Sequence, residues 1–253
     1  MGKTSPIVYA HRGASFELPE NTIEGFLLAL ELGADALETD CHLSRDGRVV
    51  LSHDASLERT AGIAKTIPEL TLAELRALDV GARFVPRRPG VHSANVRYRM
   101  PTLEEALEAC PDVLFNVDAK QTVPDMIPEL LRAIRRMNAE ERVRIASFST
   151  RNLERVRGLG YTGETGLAPS EVARAMFLPK VALRWFRVPG HAAQVPRRAY
   201  GVSFTSQSAI DRLHTLGLRV DFWTINDPEE AKILFARGAD GVMTDDPRTM
   251  CGK

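Results

Sequence analysis

Short apolar runs alternate with amphipathic helical patterns along nearly the whole chain, and this alternation constrains the fold more than any other feature of the sequence. Strands separated by helix-length segments favour a parallel sheet joined by helical crossovers, since antiparallel neighbours need only a tight turn. Candidate strands fall at residues 7–10, 36–41, 49–52, 113–117, 143–146, 164–167, 201–204, 220–223 and 241–243. The helices between them carry start and stop signals. Asn21 caps the first, with Glu24 at the capping-box position and Gly33 at its end; Thr71 with Glu74 opens another. Asp227, Pro228 and Glu230 open the last well-marked helix, which Gly238 ends. Residues 54–101 break the rhythm and read as an excursion above the sheet. A chain of 253 residues fits one TIM-type (β/α)8 barrel domain, with 54–101 as a small insertion after the third strand. Nine candidates for eight barrel positions leave one strand as an accessory. A doubly wound sheet is the alternative, but no glycine-rich dinucleotide loop follows the first strand.

In such barrels reactive groups gather at the carboxyl ends of the strands. The first candidate strand ends in His11-Arg12-Gly13, the second carries Glu38 and Asp40, the third ends in His53-Asp54, and the fourth carries Asp118 and Lys120. Strand period is two, so Glu38 shares a face with Asp40, and Asp118 with Lys120. Three carboxylates at one mouth repel each other unless a cation sits among them. An all-oxygen donor set favours one hard divalent ion, Mg²⁺ or Ca²⁺. Arg12 and Lys120 suit an anion beside it, and phosphate fits that pair best. Two histidines then supply a general acid and a general base. Each residue alone has an ordinary structural reading: a strand-end histidine, a solvated acidic pair, a salt-bridged strand end. Their arrival together at successive strand ends points to phosphodiester cleavage.

Charge agrees with local capture of an anion. Lys+Arg and Asp+Glu both number 33, so no global field draws in nucleic acid. Cys41, Cys110 and Cys251 have no pairing or zinc spacing and read as reduced thiols of a cytoplasmic protein. The first ten residues lack the h-region of a signal peptide, and no uninterrupted apolar run is long enough to span a membrane. Residues 177–198 mix Phe177, Leu178, Val181, Leu183, Trp185 and Phe186 with Lys180, Arg184, Arg187, Arg197 and Arg198. That composition suits peripheral membrane contact, although a barrel helix with snorkelling arginines has the same look. His42 is read as pointing away from Asp40, and His92, His191 and His214 as bystanders.

The segments HRGASFELPENTIEGF, GADALETD and DGRVVLSHDASLERT closely resemble the glycerophosphodiester phosphodiesterase family. The likeness continues through NVDAK, SFS, FWTINDPEE and GADGVMTDDP and is weakest over residues 161–198. It implies a TIM barrel that hydrolyses glycerophosphodiesters to glycerol 3-phosphate and an alcohol. His11 and His53 would be the acid–base pair, Glu38, Asp40 and Asp118 the metal ligands, and Arg12 and Lys120 the phosphate holders. Glu20 is a candidate support for Arg12 or the metal, and Trp223 a candidate apolar wall beside the glycerol carbons. The family usually carries Glu where this chain has Asp118; the shorter arm also resembles the related sphingomyelinase D and phospholipase D group. That makes a lysophospholipase D acting on lipid substrates the first alternative. A non-catalytic phosphodiester-binding barrel is the remote one, disfavoured because every expected position holds a competent group.

Overall fold

The computed structural model describes residues 5–88, 96–179, 182, 188–199 and 201–253. Its main sheet runs in the order β5 (Val143–Ala146), β4 (Leu114–Ala119), β2 (Ala36–Leu43), β1 (Ile7–His11), β10 (Gly241–Thr244), β9 (Arg219–Phe222), β6 (Ala192–Val195), all neighbours parallel. Closure comes through residues 165–166. Thr165 pairs with Ile145 and Gly166 with Ala192; the Gly166 N–H donates to the Ile145 carbonyl (2.9 Å) and the His191 N–H to that of Thr165 (2.7 Å). Seven strands and this two-residue stave therefore form, among the described residues, an eight-stave TIM-type barrel.

Three expectations about the strands need correction. The accessory strand is β3 (Val49–Leu51), which pairs antiparallel with the outer end of β2, so His53 does not end a barrel stave. Residues 201–204 are not a stave either: β7 (Arg198–Ala199) and β8 (Val202–Ser203) make a separate two-stranded hairpin. The missing stave is β6, whose sequence Ala-Ala-Gln-Val is too weakly apolar to stand out, although three of its four residues are buried.

Helices, on the barrel and in the excursion above it, follow in chain order. These are α1 (Ile23–Glu31), α2 (Glu58–Ala61), α3 (Leu72–Arg76), α4 (Leu103–Ala109), α5 (Ile127–Arg136), α6 (Thr150–Gly158), α7 (Pro169–Phe177), α8 (Gln207–His214), α9 (Pro228–Ala236) and α10 (Pro247–Cys251). The cap of α1 is Thr22, not Asn21: the Thr22 hydroxyl accepts from the Gly25 N–H at 3.2 Å. Asn21, in the left-handed region at φ 56°, is thereby freed to turn its side chain inward. Thr71 with Glu74 forms a capping box as the sequence suggests, and Thr102 with Glu105 forms another.

Beyond β3, residues of 54–101 build a satellite core in which Leu57, Ile67, Leu75 and Tyr98 bury against Val50 and Leu18. That packing anchors the segment that presents His53. Lys180, Val181, Leu183, Arg184, Trp185, Phe186, Arg187 and His92, named above, lie outside the described residues.

Inside the barrel, below the mouth, Arg144 is buried among Asp221, Tyr9 and Glu164. Its Nη1 donates to Asp221 Oδ2 (2.9 Å) and Tyr9 Oη (3.1 Å), and Nη2 to Glu164 Oε2 (2.6 Å). Burial pushes the Tyr9 phenol up to about 12, with Asp221 adding to the rise. Removing one member of such a layer leaves a buried charge without a partner. Arg144→Ala is expected to cost about 3–5 kcal/mol, read as a lowered denaturation midpoint.

Candidate active site

The mouth is assembled by strand register. His11 pairs with Glu38 across β1 and β2, and Asp40 with Asp118 across β2 and β4. The chain then turns sharply: Arg12 is left-handed at φ 59° and Gly13 at φ 85°. A side chain at Gly13 would bring its Cβ to 2.8 Å from the Gly25 backbone, so the turn against α1 accepts only glycine. A non-glycine residue held left-handed costs of order 1 kcal/mol and marks a place where position matters more than ease. The Arg12 N–H is fixed by the Glu38 carbonyl at 2.9 Å.

His53 reaches the same mouth by another route. Strand β2 continues past the barrel rim, β3 returns antiparallel, and the Ser52 N–H donates to the Asp40 carbonyl at 3.0 Å. His42 belongs to this arrangement and not to the outer surface. Period two puts it with Glu38 and Asp40, and its Nε2 lies 3.2 Å from the His53 carbonyl.

Each mouth histidine has a carboxylate on its Nδ1. For His11 it is Asp245 Oδ1 at 2.6 Å, and for His53 it is Asp54 Oδ1 at 2.7 Å. Burial alone would disfavour the His11 imidazolium; Glu38, whose carboxylate is 3.8 Å from Nε2, and Asp245 outweigh it and raise the pKa above the ordinary value. Asn226 in turn holds Asp245, donating from Nδ2 to Oδ2 at 3.0 Å and accepting from the Asp245 N–H at 2.8 Å. Behind His53, Arg59 grips Asp54 (2.5 Å) and both oxygens of Glu20 (2.7 and 2.8 Å), while Glu20 also lies 3.4 Å from Arg12. Glu20 therefore braces Arg12 and the His53 segment together.

The carboxylates are packed with their cations. Lys120 Nζ lies 2.8 Å from Asp40 and 2.6 Å from Asp118, and Arg12 Nε is 3.0 Å from Asp40. Burial would raise the Asp40 pKa, but Lys120 and Arg12 hold it below the usual value. Asp118 is raised, by burial first and then by Asp40, despite the opposing Lys120. Glu38 is pushed up to about 8 by burial and by Asp40. Asn21 Oδ1 accepts from the Thr39 hydroxyl at 2.7 Å, and its Nδ2 reaches Asp40 Oδ2 at 3.5 Å, which aligns the strand carrying the acids.

Among the described residues no three His, Cys, Asp or Glu groups converge as a ready ligand cage, because Lys120 stands between Asp40 and Asp118. Two observations nonetheless fit a divalent cation. Asp118 Oδ1 is buried with no hydrogen-bond partner, and Glu38 is an oxygen donor whose carboxyl burial and the neighbouring Asp40 hold back from ionising. The donors are all carboxylate, the set a hard ion takes.

These groups open into a cavity of about 430 Å³. Trp223 lines it, packed edge-on to Phe148 with ring centroids 5.7 Å apart, and Lys120 Nζ stands 5.4 Å from the Phe148 ring centre. The structure thus brings together His11, Arg12, Glu38, Asp40, His53, Asp118, Lys120 and Trp223, with Glu20 behind them. The sequence assigned no role to Asp245, Asn226, Arg59 or Phe148, and offered Asp54 only as a strand end. Period two from Met243 in the last stave would have picked out Asp245, which continues the Tyr9–Met243 register to His11.

A closed parallel barrel whose ionisable groups crowd the carboxyl end of its staves defines a TIM-type barrel enzyme. Comparison with known proteins makes the class specific. The model of the glycerophosphoryl diester phosphodiesterase family matches residues 11–249. A curated glycerophosphodiester phosphodiesterase of Caldanaerobacter subterraneus subsp. tengcongensis is 32% identical, covering 96% of both chains. A lysophospholipase D of Homo sapiens is 29% identical, over 94% of this chain and 82% of the relative. A solved Oleispira antarctica phosphodiesterase in complex with the product sn-glycerol-3-phosphate superposes with a TM-score of 0.78 at 25% identity, covering 98% and 96% of the two chains. The chain belongs to the glycerophosphoryl diester phosphodiesterase family. No helix among the described residues is long and apolar enough to cross a membrane.

Proposed function

We propose that the mouth hydrolyses glycerophosphodiesters to glycerol 3-phosphate and an alcohol, with His11 and His53 as the proton-transfer pair. The observation that carries the reading is the matched pair of imidazoles, each tied at Nδ1 to a carboxylate, in one cavity with a basic and acidic cluster. With Nδ1 occupied, Nε2 of each ring is the nitrogen left for proton transfer. Arg12 and Lys120 hold the phosphate oxygens. The free hydroxyl next to the phosphate on glycerol attacks phosphorus as one histidine takes its proton. The other histidine protonates the departing alcohol oxygen, and a cyclic phosphate forms. Water then opens the ring with the two roles exchanged, giving glycerol 3-phosphate. Holding the attacking hydroxyl within the same molecule supplies much of the rate.

One Mg²⁺ or Ca²⁺ would be held by Glu38, Asp40 and Asp118; when bound it neutralises charge on the phosphoryl oxygens. Saturating ion, at about 100 times its Kd, is expected to raise Tm by about 5–10 °C, and Glu38→Ala to lower apparent ion affinity. Glu38 must shed its proton to bind, so affinity should strengthen as pH rises toward about 8. An unchanged Tm across that range in either ion would remove the metal from the account. The activity test is choline release from glycerophosphocholine in EDTA and after restoring Mg²⁺ or Ca²⁺. Release only in the restored sample is expected; full release in EDTA overturns the metal requirement.

The same chemistry applies to a lysophospholipid, which keeps the glycerol hydroxyl beside its phosphate. The relative named lysophospholipase D supports that second reading, and the largely apolar lining of the cavity is the specific observation in its favour.

A further inference from the structure

The cavity is larger and more apolar than a phosphate, a glycerol and two histidines account for. Its acidic and basic groups lie on the side formed by β1, β2 and β4. From there it continues away from the charges to a wall made by Leu167, Val172, Phe177, Val195, Val202 and Phe204. These come from the 165–166 stave, α7, β6 and the β7–β8 hairpin, so the wall is built by several elements of the C-terminal half of the barrel. Four of the six are at most 7% exposed and packed in the core beneath. The rim is different. Phe148 is 60% exposed and Phe177 is 67% exposed, two aromatic rings that border the cavity instead of filling the interior. A fully polar glycerophosphodiester gains nothing from such a wall, and leaving it wet carries a cost that burial of hydrocarbon would relieve.

We infer that this arm of the cavity is a subsite for an unbranched hydrocarbon chain carried on the glycerol of the substrate, with Phe177 and Val202 as its specificity-determining residues. The inference rests on the phosphodiesterase reading of the mouth, because the chain is placed by the phosphate that Arg12 and Lys120 hold. The mouth is continuous with the arm, so a single-chain lysophospholipid can seat its phosphodiester among the charges while its acyl chain runs along the wall. The cavity volume lies within the range of about 300–1,000 Å³ typical of sites that enclose a drug-sized ligand.

The test is a chain-length series of lysophosphatidylcholines with acyl chains of four to eight carbons, kept monomeric, with glycerophosphocholine as the reference. A second series places the alkyl chain on the leaving alcohol of a glycerophosphodiester. With the chain on glycerol, kcat/KM is expected to rise about two- to fourfold per methylene until the arm is full, mainly through KM. Val202→Asp should flatten that rise, and Phe177→Ser, a change at an exposed rim position, should flatten it without threatening the fold. A series that is flat while glycerophosphocholine is still hydrolysed overturns the subsite and leaves the mouth's reading standing. A rise confined to alcohol-linked chains overturns the assignment to the glycerol side. Failure of the folded, ion-supplied protein to cleave glycerophosphocholine or any member of either series takes down both.

Discussion

His53→Ala is expected to lower kcat for glycerophosphocholine by about 10²–10⁴-fold, the range lost when a positioned acid or base is removed. KM should change little, because Arg12 and Lys120, not His53, are the proposed phosphate holders. His53 is presented by the segment after β3, with its ring partly open to solvent and its Nδ1 on Asp54. Among the described residues it belongs to no core cluster, so the variant should unfold close to the wild-type temperature. Steady-state kinetics with a thermal melt of the same sample checks both halves. A variant that keeps near-normal kcat means that His53 does not move the proton.

Asp245→Ala should have the second-largest effect, a loss of about 10²-fold or more in kcat at nearly unchanged KM. The 2.6 Å contact between Asp245 and His11 Nδ1 sets both the tautomer and the ring direction, and Asn226 keeps the carboxylate in line. Asp245 never meets the substrate in this account; it acts through His11. A pH profile separates that role from a structural one. Burial opposes the charged imidazole, but Glu38 and Asp245 together raise the His11 pKa. Removing Asp245 withdraws part of the raising effect, so the limb of the profile governed by His11 should move to lower pH. Loss of activity with the limb unmoved would mean that Asp245 only holds the rim together.

The barrel was legible because its helices announce themselves chemically. Thr71 with Glu74 marks a helix start without any tertiary information, and Asp227 does the same for α9. Strands were harder, since their signal is only an apolar run. Val49–Leu51 has a strong run but a turn at Asp46-Gly47 that sends it back along β2; Ala192–Val195 has a weak run and is a stave because its neighbours pair with it. The charged residues of the mouth were readable for a similar reason: Glu38, Asp40, Asp118 and Lys120 sit at period two on strands whose ends face it. What stayed hidden were residues placed behind the candidate ones. Asp245 lies 234 positions from His11, and Arg59 lies 39 from Glu20, which the sequence did offer as a support, so no local pattern links either pair. Asn21 looked like a cap because asparagine usually is one before a helix; Thr22 takes the cap and Asn21 turns to Asp40.

The proposed reaction breaks the bond between phosphorus and the alcohol oxygen of a glycerophosphodiester. Phosphorus NMR of glycerophosphocholine incubated with the ion-supplied protein tests it most directly, because each product has its own resonance. The diester signal should give way to glycerol 3-phosphate with the wild type and persist over the same time with His53→Ala. A diester signal that persists with folded wild-type protein in either ion, or that yields phosphocholine in place of glycerol 3-phosphate, would contradict the account.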